Sequence, residues 1–162
     1  MSEFFQAERN QLFFEDLEVG LVVRGATRKV TRDAVLAFAD LVSDRHPIHY
    51  DEEYAARSVF GRCVVHGLHL TALAALGANP LSARLHDSMM AFLTQDMRFL
   101  APVFVDDWIT PEHRLVELHR SKTKPQGRVC FVVRLLNQNG ADVATGRQEF
   151  LIRSRFGARH AT

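Results

Sequence analysis

The sequence predicts an α+β protein in which a long antiparallel sheet wraps around one apolar helix. Up to about residue 78 the chain has the periodicity and capping residues of helices joined by loops. After residue 88 it reads as three or four long strands rich in β-branched and aromatic residues. The dipeptide Asn139-Gly140 near the end predicts a β-hairpin, because both residues tolerate a positive φ. One helix and one sheet bury their apolar faces most economically against each other, which gives this layout.

The first elements are a strand and two capped helices. The β-branched segment GLVVRGATRKVT (20–31) predicts a strand. Thr31 is the expected N-cap of the helix that follows, and Asp33 favours its first turn. Apolar residues then recur at the spacing of one helix face, at Val35, Phe38, Ala39 and Val42. Asp51 is the expected N-cap of a shorter helix, EEYAARS.

A third helix is expected to begin near His66-Gly67 and to run to about Gly77, with Pro80 beyond it as a stop. Because it is apolar almost all round, we expect it to be buried on every side. The strands that follow are MMAFLTQDMRFL (89–100), DWITPEHRLVELHR (107–120), GRVCFVVRLLNQ (127–138) and ADVATGRQEFLIRSR (141–155). Pro111 favours an edge position, a bulge or a strand start. A sheet this long leaves surface that a second copy is expected to cover.

Composition and charge indicate an ordinary globular protein. The chain has 162 residues, 47% of them hydrophobic and 24% charged, and we expect one domain over residues 1–162. The net charge of +1 provides no field that would attract nucleic acid or an anionic membrane. The N-terminus lacks the apolar run of a signal peptide, and two cysteines are too few for a disulfide framework. We therefore expect a cytoplasmic protein without nucleic-acid or membrane partners.

Polar residues are densest in the loop SDRHPIHYD (43–51). Asp44 and His49 are five residues apart, and Pro47 between them excludes a continuous helix. A carboxylate and an imidazole on one stiff loop can converge on one water, and acid–base catalysis needs one group that takes a proton and one that gives it. Alternatively, Asp44 caps a turn and His49 is a half-buried loop histidine. Spacing alone does not decide between these two interpretations.

The segment FGRCVVHG (60–67) leads into the apolar helix. A glycine at a helix start exposes backbone N–H groups, which can stabilise an oxyanion in acyl chemistry. Alternatively, Gly67 only relieves crowding there. The pairs HPIH (46–49) and HGLH (66–69) raise a metal hypothesis, but no HExxH is present, so we expect no metal. Cys63 could be a nucleophile, although a free cysteine is more often a small buried apolar residue.

Together these segments resemble the MaoC-like dehydratase family, whose best-known members are R-specific enoyl-CoA hydratases. The family pattern D-x-N-P-x-H-x-D-x-x-x-A reads here as DRHPIHYDEEYA (44–55). It is followed, at the family's spacing, by Phe60-Gly61 and His66-Gly67. Downstream, MRFLAPVFVDDWIT (97–110) resembles the family's F-x-x-P-V-x-x-G-D strand and turn. The likeness covers about residues 12–153.

The resemblance implies a hot-dog fold, a homodimer or higher homo-oligomer, and a thioester bound at the subunit interface. It implies that Asp44 and His49 activate water and that the Gly67 N–H polarises the thioester carbonyl. Syn addition of water to a trans-2-enoyl-CoA would then give an (R)-3-hydroxyacyl-CoA, with acyl-carrier protein as the second possible carrier. The CoA thioester is the substrate, and no cofactor is expected. We also expect four side chains to bind the substrate: His46, His66, Arg62 and Arg98.

The sequence departs from the family pattern in three places. His46 replaces the usual Asn and brings a titratable imidazole, which could retune the catalytic pair or keep the structural role of Asn. Asp106 replaces the usual Gly of the strand turn, where Asp is tolerable because it visits left-handed conformations. The helix has Thr71 and Ala72 where some hydratases carry Ser.

Two alternatives to a hydratase stay open at this point. The same fold also hydrolyses acyl thioesters in thioesterases, and a chain with these departures could bind thioesters without chemistry. Acyl chain length cannot be ranked from the sequence. The expected floor of the pocket comes from the apolar helix and the strand after it, namely Leu70, Leu73, Leu76, Met89, Met90 and Phe92.

Overall fold

The computed structural model describes residues 10–156, beginning with a short 3-10 turn and two short strands. The 3-10 turn covers Phe14–Asp16 and is followed by β1 (Val22–Arg24) and β2 (Arg28–Lys29). The prediction of a single strand over residues 20–31 is therefore wrong. The chain departs from the sheet after Gly25 and rejoins it at β2. A Cβ at Gly25 would lie only 2.8 Å from Pro111 Cγ, so only glycine fits this crossing.

Four short helices follow, and the predicted caps of the first two are confirmed. Helix α1 (Arg32–Val42) begins where the Thr31 hydroxyl accepts a hydrogen bond from the Ala34 N–H at 3.2 Å. Helix α2 (Glu52–Ala56) begins where the Asp51 carboxylate accepts one from the Tyr54 N–H at 2.9 Å. Helix α3 (Gly67–Leu73) and helix α4 (Pro80–Arg84) are separated by a 3-10 turn at Leu76–Ala78.

Helix α3 is shorter than the sequence predicts, because the sheet binds the carbonyl of Ala74, the residue that caps its C-terminal end. The Ala74 carbonyl accepts hydrogen bonds from His113 Nε2 and Gln148 Nε2, each at 3.0 Å. Both of these side chains are buried. The expectation that α3 is buried on every side is also wrong within a single protomer, since Leu68 is 66% exposed. One face of the helix lies on the sheet and the opposite face is open.

The predicted long strands are confirmed to within two residues at each end. They are β3 (Met89–Phe99), β4 (Trp108–Arg120), β5 (Gln126–Leu136) and β6 (Asp142–Arg153). All pair antiparallel in the order β1-β4-β5-β6-β3, and β2 also pairs with β4. The hairpin between β5 and β6 turns over residues 137–141, where Gly140 alone has a positive φ, of 75°. Asp106 also has a positive φ, of 74°, as its place in the strand turn requires.

Pro111 lies inside β4, where its missing backbone N–H removes no hydrogen bond between paired strands. Strand β1 pairs with residues 112–114 of β4 and β2 pairs with residues 108 and 109, so Pro111 stands between the two. The prediction of an edge position, a bulge or a strand start is wrong, because β4 is an interior strand between β1 and β5 and its bulge lies between Leu115 and Glu117. On the other side Pro111 is paired with Leu135 of β5.

The main core forms where α3 lies on the sheet. Leu70 of α3 and Ala74, which follows the last residue of α3, share one buried cluster with Ile109, Val133 and Leu135. The sheet thus wraps around this helix, and the predicted α+β hot-dog architecture is confirmed. A second cluster, centred on Phe131 of β5, lies under the first 3-10 turn and α4. Among residues 10–156, none of the helices is both long and apolar enough to cross a membrane.

At Gly146 strand β6 lies close to the backbone of β3, and this contact supports a stability prediction. A Cβ at this position would lie 2.1 Å from the Asp96 carbonyl oxygen in β3. We expect Gly146→Ala to lower the free energy of unfolding by about 3 kcal/mol, because β3 must move away from β6. Urea unfolding followed by circular dichroism measures this change. Gly77→Ala is the matched control, since its Cβ meets nothing within 4 Å, and equal midpoints for the two variants would contradict the prediction.

Candidate active site

The loop between α1 and α2 is shaped by its own side chains. Helix α1 ends at Ser43, whose left-handed φ of 59° turns the chain, and a 3-10 turn forms at Pro47–His49. His46 caps this turn, because its Nδ1 accepts a hydrogen bond from the Ile48 N–H at 3.2 Å. The Tyr50 hydroxyl donates to the Arg45 carbonyl at 2.9 Å and closes the loop. Asp44 and His49 are thus carried on a short, internally bonded segment.

This loop docks on the extended segment before α3. The Val64 N–H donates to the Ile48 carbonyl at 3.2 Å, and the Val65 N–H donates to the Val103 carbonyl at 2.8 Å. His49 Nδ1 lies 2.7 Å from the Val64 carbonyl oxygen. Three main-chain positions far apart in sequence are therefore joined beside the start of α3.

The docking brings Asp44, His49 and His66 into one cluster. A carboxylate oxygen of Asp44 and one ring nitrogen from each histidine lie within 4.8 Å of one another. Asp44 is exposed, His49 is half-buried and His66 is only 2% exposed. The carboxylate therefore faces solvent while the imidazoles stand behind it. Separations of this size allow one water molecule to contact the Asp44 carboxylate and the His49 ring together.

The tautomer of His49 follows from its carbonyl partner. Because the Val64 carbonyl can only accept, Nδ1 carries the proton and Nε2 of the neutral ring is a free base. Burial lowers the pKa of His49 below its ordinary value, and the neighbouring His66 lowers it further. The Val64 carbonyl and Asp44 act in the opposite direction. The imidazole is neutral near pH 7, which is the state that a general base requires.

Gly67 is the first residue of α3 and lines an open apolar cavity of about 370 Å³. No carbonyl precedes it within the helix to accept its N–H. The ring of Phe99 packs so closely that a Cβ at Gly67 would lie 2.9 Å from it. The cavity walls are mostly apolar, and include Phe60, Val64, Val65, Leu70, Phe99 and Pro102.

Within a single protomer, most of the residues predicted to form the pocket floor do not line the cavity at Gly67. Of the six predicted residues, only Leu70 lines the cavity at Gly67. Leu76 and Met89 pack in the second core cluster, while Met90 and Phe92 are exposed on β3. Phe60 and Phe99 also line this cavity, although neither was predicted as a pocket residue. Both stand in segments that match the family pattern, and that pattern is the sequence signal that could have identified them.

The four predicted substrate-binding residues take different positions. His66 belongs to the cluster, and the exposed His46 presents its ring edge-on to His49 with centroids 6.2 Å apart. The Arg62 guanidinium lies 3.8 Å above the Phe104 ring and lines a neighbouring cavity. Arg98 is exposed on β3 beside Phe99, and successive side chains of a strand point to opposite faces. Neither arginine joins the cluster within this chain.

The cluster does not have the geometry of a metal chelate. The rings of His49 and His66 are stacked, with centroids 3.6 Å apart and planes inclined by 23°. A metal ion about 2 Å from each ring nitrogen would have to lie in both ring planes, which nearly parallel rings do not allow. Cys63 does not suit the role of a nucleophile either, because burial raises the pKa of its thiol.

The capping role of His46 leads to a prediction. Asparagine is also a good cap, so His46→Asn should keep the loop and leave kcat within about threefold of the wild-type value. His46→Ala should lower stability by about 1 kcal/mol, because the Ile48 N–H loses its partner. Steady-state kinetics and thermal unfolding of both variants test this. A folded His46→Asn variant with more than a tenfold loss would show that the imidazole itself is needed.

Known proteins resemble this chain in sequence and in structure. The sequence profile of a family described as MaoC like domain matches residues 18–133. A 3-hydroxybutyryl-CoA dehydratase of Methylorubrum extorquens is 36% identical over 111 residues, which are 68% of this chain and 68% of that protein. An (R)-specific enoyl-CoA hydratase of Aeromonas caviae is 33% identical over 132 residues, covering 82% of this chain and 92% of that protein. A solved structure from Archaeoglobus is named as a monoamine oxidase regulatory protein and is similar to this chain with a TM-score of 0.85 at 32% identity. The superposition covers 91% of this chain and 98% of the Archaeoglobus chain.

Proposed function

Since the chain belongs to the MaoC-like domain family, we propose that it interconverts a trans-2-enoyl-CoA and an (R)-3-hydroxyacyl-CoA by adding or removing water. It is a hydratase/dehydratase, which is a hydro-lyase. The observation that carries the proposal is the cluster of Asp44 with a neutral His49 whose Nε2 is free, beside the cavity at Gly67.

In the hydration direction, Asp44 and His49 hold one water against C3 of the enoyl group. His49 Nε2 takes a proton from the water while its oxygen forms the bond to C3, and the electrons of the double bond move toward the thioester carbonyl. The protonated imidazole then gives a proton to C2 on the same face. One water is consumed, its hydroxyl and one hydrogen end on the product, and both side chains return to their starting states. The reaction is redox-neutral, so we propose no cofactor.

The Gly67 N–H is proposed as the donor to the carbonyl oxygen. Negative charge develops on this oxygen as water adds, and a fixed donor stabilises it most in the transition state. The cavity beside Gly67 supports this role, because its apolar walls suit the acyl chain or the pantetheine arm. The helix itself is short, so the N–H group rather than a macrodipole is the relevant feature.

Gly67→Ala tests this role. We expect kcat/KM to fall about 100-fold, because the methyl group blocks the approach of the carbonyl to the N–H. The added Cβ also pushes on Phe99, so the double variant with Phe99→Ala separates the two effects. If the double variant recovers the turnover of Phe99→Ala alone, crowding explains the loss and Gly67 is not the donor site.

We further propose that the chain acts as a homodimer on CoA thioesters. Strand β3 is an edge strand of the sheet and carries four large apolar side chains that are 44–54% exposed: Met90, Phe92, Leu93 and Phe99. The open face of α3 adds Leu68. A second copy that covers these residues would also enclose the cavity at Gly67. The two relatives described above are named for CoA substrates, while two others at 30% and 28% identity are named for acyl-carrier-protein substrates. We therefore propose CoA as the first carrier to test.

The decisive experiment follows the conjugated enoyl-thioester absorbance with purified protein. Crotonyl-CoA, a medium-chain enoyl-CoA and a methyl-branched enoyl-CoA are the substrates, and light scattering gives the molar mass. We expect loss of absorbance with at least one substrate, without release of free thiol. Thiol release from saturated acyl-CoAs would favour a thioesterase. Saturable binding with no chemical change on CoA or carrier-protein substrates would favour a binding domain.

A further inference from the structure

His66 is a buried side chain that contacts both members of the proposed catalytic pair. Its Nε2 donates a hydrogen bond to the Asp44 main-chain carbonyl at 3.1 Å. Its ring stacks on the His49 ring with centroids 3.6 Å apart. At 2% exposure it is shielded from the solvent that reaches Asp44.

We infer that His66 is a positioning residue, which holds Asp44 through its main chain and His49 through its ring face without contacting the substrate. This inference rests on the proposed function of the site. It replaces the substrate-binding role that the sequence analysis expected for His66.

The surroundings of His66 leave its ring one orientation. Phe38 of α1 packs on it with a centroid distance of 5.4 Å, while His49 lies on it at 3.6 Å. Because the Asp44 carbonyl only accepts, Nε2 of His66 is the donor in this hydrogen bond. Nδ1 is buried and has no hydrogen-bond partner among residues 10–156. A ring held on three sides in this way fixes the positions of Asp44 and His49.

The helix does not need this side chain. His66 precedes the first residue of α3, yet its side chain makes no capping hydrogen bond. Its contacts go instead to the Asp44–His49 loop, 17 to 22 residues earlier in the chain. An error of about 1 Å in the placement of a catalytic group can cost about 100-fold in rate. The two contacts therefore matter for turnover more than for folding.

Three ionisable side chains face His49 and influence its pKa. Their influence provides a measurement that distinguishes a positioning role of His66 from a role in stability alone. Asp44 raises the pKa of His49, while His46 and His66 each lower it. A neutral ring in place of His66 removes one of the two lowering influences. The pKa of His49 should then rise, and the acid limb of kcat/KM should move to higher pH. A purely structural role would not move this limb.

The test compares two variants that each keep one contact. His66→Phe keeps the stacked ring and loses the donor, whereas His66→Gln keeps a donor and loses the ring. We expect kcat to fall 10- to 100-fold in both, with KM within threefold of the wild-type value and the acid limb shifted in His66→Phe. His69→Leu is the control, since it removes a buried imidazole of α3 that is not part of the Asp44–His49–His66 cluster and should leave kcat unchanged.

Thermal unfolding establishes that each variant is folded, and His66→Gln carries the kinetic test if His66→Phe fails to fold. Wild-type kcat and an unmoved acid limb in the folded variants would overturn the inference. If the wild-type protein turns over no enoyl-CoA, the proposed function fails, and NMR titration of the His49 ring nitrogens decides the inference separately. An unchanged pKa of His49 in the folded His66 variant would then overturn the inference, and a raised pKa would support it.

Discussion

Replacing Asp44 with asparagine is expected to lower kcat about 1,000-fold while the fold stays intact. Asparagine has the same shape, and its carbonyl oxygen can still accept the weak 3.4 Å hydrogen bond from the His46 N–H. It lacks the negative charge that holds the water and stabilises the imidazolium formed when His49 takes a proton. A positioned acid–base group contributes about 100- to 10,000-fold, and the expected loss lies within this range.

Asp40→Asn is the matched control for this variant. Asp40 is an exposed carboxylate on α1 that pairs with Arg45 at 2.9 Å. An exposed ion pair of this kind contributes well under about 1 kcal/mol, so its loss should change kcat by less than twofold. Both variants are compared by enoyl-CoA hydration and by circular dichroism. Turnover above a tenth of the wild-type value in Asp44→Asn would mean that another carboxylate activates the water.

Replacing His49 with glutamine is expected to have a similarly large effect, a loss of about 1,000-fold in kcat/KM. Glutamine can keep the N–H bond to the Val64 carbonyl, but it has no basic nitrogen in the place of Nε2. The fold should therefore survive, while proton transfer from water loses its acceptor.

The wild-type pH profile provides the second part of this prediction. The base works only when unprotonated, so kcat/KM falls as the pH drops through the pKa of His49. Because burial lowers that pKa, the acid limb should lie below pH of about 6.5, the ordinary value for histidine. His119→Gln, at the exposed end of β4, is the control and should leave the profile unchanged. An acid limb at or above about pH 6.5, or one retained in a still-active His49→Gln variant, would contradict His49 as the base.

Local signals in the sequence predicted the elements that depend on neighbours in the chain. Thr31 and Asp51 start their helices because a side-chain oxygen meets an N–H three residues later. The four long strands follow from β-branched and aromatic residues bounded by turns, and so does the hairpin at Gly140. The family pattern from Asp44 to Gly67 named the residues that the fold then brought beside one another.

The errors arose where a distant contact decided the outcome. Helix α3 was expected to run to Gly77, but the Ala74 carbonyl is bound by His113 and Gln148 from the sheet. The pocket floor was expected along the helix and β3, but most of those side chains pack in the second core or face outward. The two contacts of His66 join residues that are far apart in sequence, which no spacing rule anticipates.

The sequence by itself determined the α+β class, the caps, the strands and the identity of the catalytic candidates, because these follow from propensity, periodicity and a family pattern. Only the tertiary structure decided which nitrogen of His49 is free, where α3 ends and what stands behind the catalytic pair. The physical reason is that hydrogen-bond partners and ring stacking depend on positions in space. Val64 and His66 acquire their roles only once the loop of Asp44 docks at the start of α3.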